Sequence, residues 1–304
     1  MKNFIFAFIY SLSFSAFSEN TFDHIVKACK ENTSNTFLEA FCIEKQISPN
    51  RSKLCKKTSY SNKAEKICLN LEESVNDAII EGCRKETSTN NLQVECLKNL
   101  VPVDKSSACK RYTSNSTNEL LCLKKHATLS VEKIKICREK TTNVGLENLC
   151  LNLAPAIEIV KACREFTTNA KVEFICLQNF KNLNREIIEG CRKNTTNSKN
   201  EIICLEKSVR PEMANTCMTN TSNSNLEKLC LVMSSDLNKE IIKGCKENTH
   251  NTVLERVCLE LKVSPEASKI CNKNTTSSIS EEVCLRTAAA LEQGLSNQAA
   301  QEVQ

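Results

Sequence analysis

The sequence predicts an all-α protein: an α-solenoid of ten short helical hairpins, each stapled by a disulfide, arranged as five 54-residue double repeats. Two observations carry this. The 20 cysteines fall into pairs of constant separation, and helix-capping residues recur in fixed register to every pair. A period of this length, sustained without interruption, marks a stacked array and not a single-core enzyme.

The chain opens with MKNFIFAFIYSLSFSAFS, residues 1–18. One charge at Lys2, an apolar stretch from Phe4 to Phe17, and small Ala16 and Ser18 at the cleavage positions read as a secretory signal peptide cut after Ser18. A lipoprotein anchor does not fit, because Cys29 lies far past the apolar run and Lys27 interrupts the approach to it. Export to the periplasm or the extracellular space is therefore expected. In such an oxidising compartment, evenly spaced cysteines read as disulfides and not as metal or redox centres.

The array occupies residues 19–291. Its pairs are Cys29 with Cys42, Cys55 with Cys68, Cys83 with Cys96, Cys109 with Cys122, and Cys137 with Cys150. They continue as Cys163 with Cys176, Cys191 with Cys204, Cys217 with Cys230, Cys245 with Cys258, and Cys271 with Cys284. Members of a pair are always 13 apart, while successive first cysteines step by 26 and 28 in alternation.

One unit, NREIIEGCRKNTTNSKNEIICLEK at 184–207, shows the elements in order. Ile187, Ile188 and Cys191 follow helical spacing and define a first helix. A Thr or Ser four residues after each first cysteine, followed two residues later by Asn in 7 of 10 units, is expected to end it, Asn tolerating left-handed backbone. The second helix is expected to begin at Thr36, Asn62, Asn90, Ser116, Val144, Ala170, Ser198, Ser224, Thr252 and Ser278, with Asn143 and Asn169 able to cap one residue early. Three residues on stands Glu in nine units and Gln93 in the other, which reads as a capping box. Leu follows the second cysteine in nine units and Ile43 in the tenth, a core position.

Helices of about ten residues are marginal alone in water, and a hairpin of about 27 residues buries too little to fold. A disulfide across such a loop contributes about 3 kcal/mol in the chain-entropy model, which offsets the shortfall. Spacing alone also allows a bond from each second cysteine to the next first cysteine, 13 or 15 residues on. The invariant interval within the pair, with the capping register locked to both ends, favours the bond inside the hairpin.

The links alternate in kind. Pro49, Pro102, Pro155, Pro211 and Pro265 all fall in the shorter ones, where Ser264 would cap and Pro265 would open a helix. Gly82, Gly190 and Gly244, with Ala28, Ala108 and Ala162, precede first cysteines and are expected to permit close helix approach. Residues 292–304 are a polar C-terminal tail or cap for the last hairpin.

No sequence feature points to catalysis. There is no C-x-x-C for metal or redox work, no nucleophile elbow and no phosphate-cradling glycine loop, and His24, His126 and His250 occupy unrelated repeat positions. No catalytic residue, metal or cofactor is expected. A net charge of +5, with few aromatics outside the leader, is too mild for a nucleic acid partner, and no later segment reaches a membrane span. The N-x-[ST] stretches at Asn32, Asn115, Asn194, Asn220 and Asn274 lie in the inter-helix turns and are exposed glycan acceptors if the source is a eukaryote.

One ladder is suggestive. Lys30, Lys56, Arg84, Lys110, Arg138, Arg164, Arg192 and Lys246 each follow a first cysteine, interrupted by Met218 and Asn272, and stacking would align them into a basic ridge. Cations near a helix C-terminus also complement its dipole, which supplies a purely structural explanation. In organisation the chain is similar to secreted cysteine-rich helical-repeat proteins of bacteria, and since no family motif is matched the likeness implies architecture alone. The expected function is that of an exported, non-enzymatic binding or scaffold module for a protein or an anionic polymer. The alternative is a structural or protective envelope component without a specific ligand.

Overall fold

The computed structural model describes residues 22–301; the expected signal peptide at 1–18 lies outside the described residues, as do 302–304. Among the described residues there are 20 α-helices, one short 3₁₀ turn and no strand. They divide into two compact units, one ending at Glu139 and the other starting at Lys140.

The first unit holds α1 (residues 22–31), α2 (Thr36–Glu44), α3 (Pro49–Thr58), α4 (Asn62–Leu69), α5 (Asp77–Lys85), α6 (Asn90–Lys98), α7 (Val103–Arg111), α8 (Ser116–Lys124) and α9 (Val131–Glu139). The second holds α10 (Val144–Leu153), α11 (Ile157–Phe166), α12 (Ala170–Gln178), α13 (Arg185–Lys193), α14 (Ser198–Glu206), α15 (Pro211–Thr219), α16 (Ser224–Val232), α17 (Lys239–Glu247), α18 (Thr252–Leu261), α19 (Pro265–Asn274) and α20 (Ser278–Gln301). Residues 292–301 of the expected tail thus continue α20.

Within each unit the helices pack on hairpin partners and on their counterparts in the next hairpin. First helices stack on first helices, as α3 on α5 on α7 on α9 in the first unit and α11 on α13 on α15 on α17 on α19 in the second. Second helices stack on second helices, as α2 on α4 on α6 on α8 and α10 on α12 on α14 on α16 on α18 on α20. This is the two-layer packing of a helical solenoid.

The connectivity left open by spacing is the one within hairpins. In the first unit Cys29 bonds to Cys42, Cys55 to Cys68, Cys83 to Cys96 and Cys109 to Cys122. In the second Cys163 bonds to Cys176, Cys191 to Cys204, Cys217 to Cys230, Cys245 to Cys258 and Cys271 to Cys284. Each bond spans 13 residues with a Cα–Cα separation of 5.5–5.7 Å, the ordinary range for a disulfide. Cys137 and Cys150 are disulfide-bonded too, and no described cysteine is free. No bond runs from a second cysteine to the next first cysteine in these nine, so Cys42, Cys68, Cys96, Cys122, Cys176, Cys204, Cys230, Cys258 and Cys284 all pair backwards, to the helix just before them. The core runs along the seam between the layers. The leucines following second cysteines, from Leu69 to Leu285, are fully buried, and so are Ile80, Ile134, Ile188 and Ile242 on the first helices.

The second helices begin at the expected residues, from Thr36 to Ser278, but the cap is set one residue earlier than the capping-box reading requires. Asn35, Ser61, Thr89, Asn115, Asn143, Asn169, Asn197, Asn223 and Asn251 are the N-caps, each accepting from the backbone N–H three residues on. The recurrent Asn is therefore extended, with φ between −155° and −162° in seven second helices, and not left-handed as expected. An amide oxygen aimed at its own helix satisfies an orphan N–H without any unusual backbone. The preceding helix is closed instead by the Thr hydroxyl, which donates to the carbonyl of the first cysteine, as Thr195 does to Cys191 at 2.7 Å and Thr87 to Cys83 at 2.6 Å. Where Ser59 replaces Thr, its buried hydroxyl finds no partner.

This shift displaces the acid out of capping-box position, since it now lies four residues past the cap. Its carboxylate reaches to the preceding hairpin. Glu65 accepts from the N–H and hydroxyl of Ser34, Glu173 from those of Thr142 at 3.3 and 2.9 Å, and Glu227 from those of Thr196. Glu119 takes the Ser88 hydroxyl at 3.0 Å, Glu201 the Thr168 hydroxyl at 2.8 Å, Glu255 the Ser222 N–H at 3.0 Å, and Glu281 the ring and N–H of His250. Gln93 fills the same rung with an amide, accepting from Tyr60 N–H at 2.8 Å and donating to the Thr58 carbonyl at 2.5 Å. These side chains are almost entirely buried and hold adjacent hairpins in register.

Left-handed backbone is present, but in the short links. Gln46, Leu100, Ala154, Ser208 and Lys262 have φ of 47–56°, one per double repeat and none of them glycine. The glycines serve close approach, as expected: a Cβ on Gly190 would meet Pro211 Cγ at 2.7 Å, and one on Gly244 would meet Pro265 Cα at 2.9 Å. Each pair packs the proline of a short link against the first helix before it.

Candidate functional site

The basic ridge is the feature to locate. Its cations occupy equivalent places in the stacked first helices, so within each unit they lie along one layer. They do not form a uniform array. Lys56, Lys110 and Lys246 turn back onto the preceding hairpin, donating from Nζ to the carbonyls of Glu31, Lys85 and Thr219 at 2.8, 2.8 and 2.7 Å. Those carbonyls belong to the last turn of the preceding first helix, where a cation complements both an orphan acceptor and the dipole. Arg84 stacks on the Tyr60 ring, 3.1 Å from its centroid. Lys30, Arg138, Arg164 and Arg192 are exposed.

The ladder also acts on the buried carboxylates. Burial pushes Glu119, Glu173 and Glu201 above the ordinary carboxylate range, against the pull of the Ser88, Thr142 and Thr168 hydroxyls and of Lys110, Arg164 and Arg192 respectively. Glu119 and Glu201 each keep one buried carboxylate oxygen without a hydrogen bond, the geometry that makes desolvation dominate.

The clearest concavity associated with the ridge is in the second unit, a cleft of about 420 Å³ lined by Lys140, Lys161, Arg164, Glu165 and Arg185. Arg185 opens α13, donates to Glu165 at 3.1 Å and lies 4.9 Å from the Phe166 ring centroid. Lys161 is 3.4 Å from Glu158. Of these cations the expected ridge contains Arg164 alone. Lys161 belongs to a second column, two residues before the first cysteine, where Lys27, Lys53, Lys135, Lys243 and Lys269 also stand. That column is visible in the aligned repeats, whereas Lys140 and Arg185 join only through the stacking.

A second groove, in the first unit, is lined by Phe41, Lys66, Ile67, Asn70, Leu71 and Lys98, with Lys66 over the Phe37 and Phe41 rings at 4.7 and 5.4 Å. Among the described residues no cluster of His, Cys, Asp and Glu could hold a metal ion, and no helix is long and apolar enough to cross a membrane. His126 contacts the Leu123 carbonyl and His250 sits in a carboxylate rung. Of the turn asparagines, Asn115 is engaged as an N-cap, and Asn194 and Asn274 donate to the carbonyls of Pro211 and Ile270. No family model, no curated protein and no solved structure matches the chain.

Proposed function

We propose that this is an exported, non-enzymatic binding or scaffold module whose first-helix layer engages an anionic polymer or an acidic protein. The observation that supports it is the cleft of the second unit, where Arg164 of α11 and Arg185 of α13 line one opening with Lys140 and Lys161. Repeated hairpins held in register by hydrogen-bonded rungs supply a preorganised platform, as a recognition surface requires. Export is supported by the full set of disulfide-bonded cysteines, which persist in oxidising compartments.

The test uses the oxidised protein lacking residues 1–18, immobilised and challenged at physiological salt with a sulfated glycan, a polyphosphate and an acidic protein fraction. Retention that weakens with added salt is expected. Failure to retain any of them, together with turnover of a small-molecule substrate by the purified protein, would sink the reading.

The second reading, a structural or protective component, is favoured by the commitment of Lys56, Lys110 and Lys246 to carbonyls within the fold. Deleting one 54-residue double repeat separates the two. Resistance to proteases should survive the deletion, whereas retention of a ligand should fall if the deleted repeat contributes to the surface.

A further inference from the structure

We infer that the cleft of the second unit is a subsite for a tetrahedral oxyanion, the phosphate or sulfate ester group of an anionic polymer; the polymer part rests on the function proposed above.

The cations of the ladder differ in what they engage. The cation after the first cysteine in α3, α7 and α17 is spent on a carbonyl of the neighbouring first helix. Arg164, at the same position in α11, makes no such bond and lines the cleft with Lys140, Lys161 and Arg185. The acids do not cancel them. Glu165 is held by Arg185, and Glu158, outside the lining, pairs with Lys161 alone. Glu173, whose charge Arg164 feels, is buried and taken up by Thr142. Four cations against two surface carboxylates leave an excess of positive charge in a concave place, where field lines concentrate.

The cleft also offers more donors than a carboxylate can take up. Glu165 already supplies a carboxylate and engages a single N–H of Arg185. The donors that remain are the rest of two guanidinium forks and two ammonium groups, spread around one opening. A carboxylate offers two oxygens, and a phosphate or sulfate ester offers three, each able to take a charge-assisted bond. A cleft of about 420 Å³ also exceeds one oxyanion, leaving room for the sugar or chain that carries it. Arg185 is preorganised for the role by Glu165 on one side and the Phe166 ring on the other.

The experiment follows the Arg Nε–H resonances of the oxidised protein by NMR at low ionic strength, during titration with inorganic phosphate, inorganic sulfate and acetate. Saturable shifts at Arg164 and Arg185 are expected with phosphate or sulfate, and acetate should bind roughly tenfold more weakly. R164Q should lower the affinity by about tenfold without moving the melting temperature, while K273Q in α19 should leave it unchanged. Equal response to acetate, equal loss in K273Q, or no shift at Arg164 would overturn the assignment. A glycan bearing phosphate monoesters and a sulfated glycan, added in separate arms, identify which ester is the source. Oxyanion binding with neither polymer retained would uphold the subsite and sink the polymer reading. No oxyanion binding beside retention of an acidic protein would sink the subsite and leave the binding-module function standing.

Discussion

The Glu201 carboxylate, in the second helix of one hairpin, accepts the Thr168 hydroxyl from the turn of the hairpin before it at 2.8 Å. The two residues are 33 positions apart, and the rung between them joins a buried carboxylate to a hydroxyl at the surface. Its Oε1 is nevertheless unpaired. Glu201→Ala should therefore loosen the interface between these hairpins by about 1–2 kcal/mol, the value of a lost cap. Glu201→Gln should be tolerated, because Gln93 already completes a rung with both amide atoms engaged. Urea unfolding of the two variants checks this, and equal destabilisation by Gln and Ala would show that the rung requires its charge.

Acidity should act on three rungs in a consistent direction. Glu119, Glu173 and Glu201 have folded-state values raised above 4.5 by burial, so the native chain binds protons there before the unfolded chain does. Their contribution to stability is fully present below the unfolded value and is lost as pH rises through the folded one. Glu189 and Asp236 run oppositely: hydrogen bonds from Lys193 and Lys262 lower them, so their support disappears only at more acidic pH. Stability should rise as pH falls through the folded-state values of the three rungs, and fall again as pH drops through those of Glu189 and Asp236. The double variant E119Q/E201Q should flatten the rising limb in a series of melting curves. A monotonic loss of stability below pH 7 would contradict it.

Close approach to two of the short links makes a second contrast. A Cβ on Gly82 would meet Val103 Cγ2 at 2.7 Å, whereas one on Gly244 would meet the Pro265 backbone at 2.9 Å. Both Gly→Ala changes should destabilise by about 1–3 kcal/mol through overpacking. V103A should rescue G82A, since the obstacle is a side chain. P265A should not rescue G244A, because Cα remains. Thermal melts of the four single variants and two doubles decide the point.

How much of this was legible in the sequence depends on whether a residue's partner is local or remote. Cys191 and Cys204 stand at a fixed interval, and both Leu205 and Ile188 carry helical periodicity, so hairpins, core and stacking could be read. Thr195 also bonds locally, to Cys191, and its recurrence was visible although its acceptor was not. Glu201 misled because a local rule accounted for it: with the cap set one residue late, it sat where a capping box would place it. Its actual partner, Thr168, lies in another hairpin, and nothing in a single repeat reveals that. The cleft is legible only in part for the same reason, since Arg164 belongs to an obvious column while Lys140 and Arg185 converge on it through the stack.

The left-handed residues offer a route to greater stability. Ser208 has φ of 51°, where a Cβ crowds the following carbonyl and glycine does not. Ser208→Gly should stabilise by about 0.5–1 kcal/mol, net of the extra freedom glycine gives the unfolded chain. Lys207, one residue earlier, has right-handed backbone at φ −89° and ψ −4°. Lys207→Gly should cost about 0.5–1 kcal/mol, and opposite signs in adjacent positions, read from thermal melts, exclude a general tolerance of the link.

Removing one disulfide tests whether the hairpins are the units of stability. Cys191 and Cys204 join α13 to α14 with their Cα atoms 5.6 Å apart. Changing both to Ala frees a loop whose closure is worth about 3 kcal/mol in the chain-entropy model, and the two sulfur positions, both fully buried, lose packing as well. In a stack whose stability sums over repeats and nearest-neighbour contacts, the loss should stay near its source. Hydrogen exchange should accelerate most in α13 and α14, less in α11, α12, α15 and α16 that pack on them, and little in α19. The rung from Thr196 to Glu227 should weaken with it, because the turn that presents Thr196 is held by this bond. Uniform acceleration across Lys140–Gln304 would instead mean that the second unit opens as one cooperative body, with each staple supporting the whole and not its own hairpin.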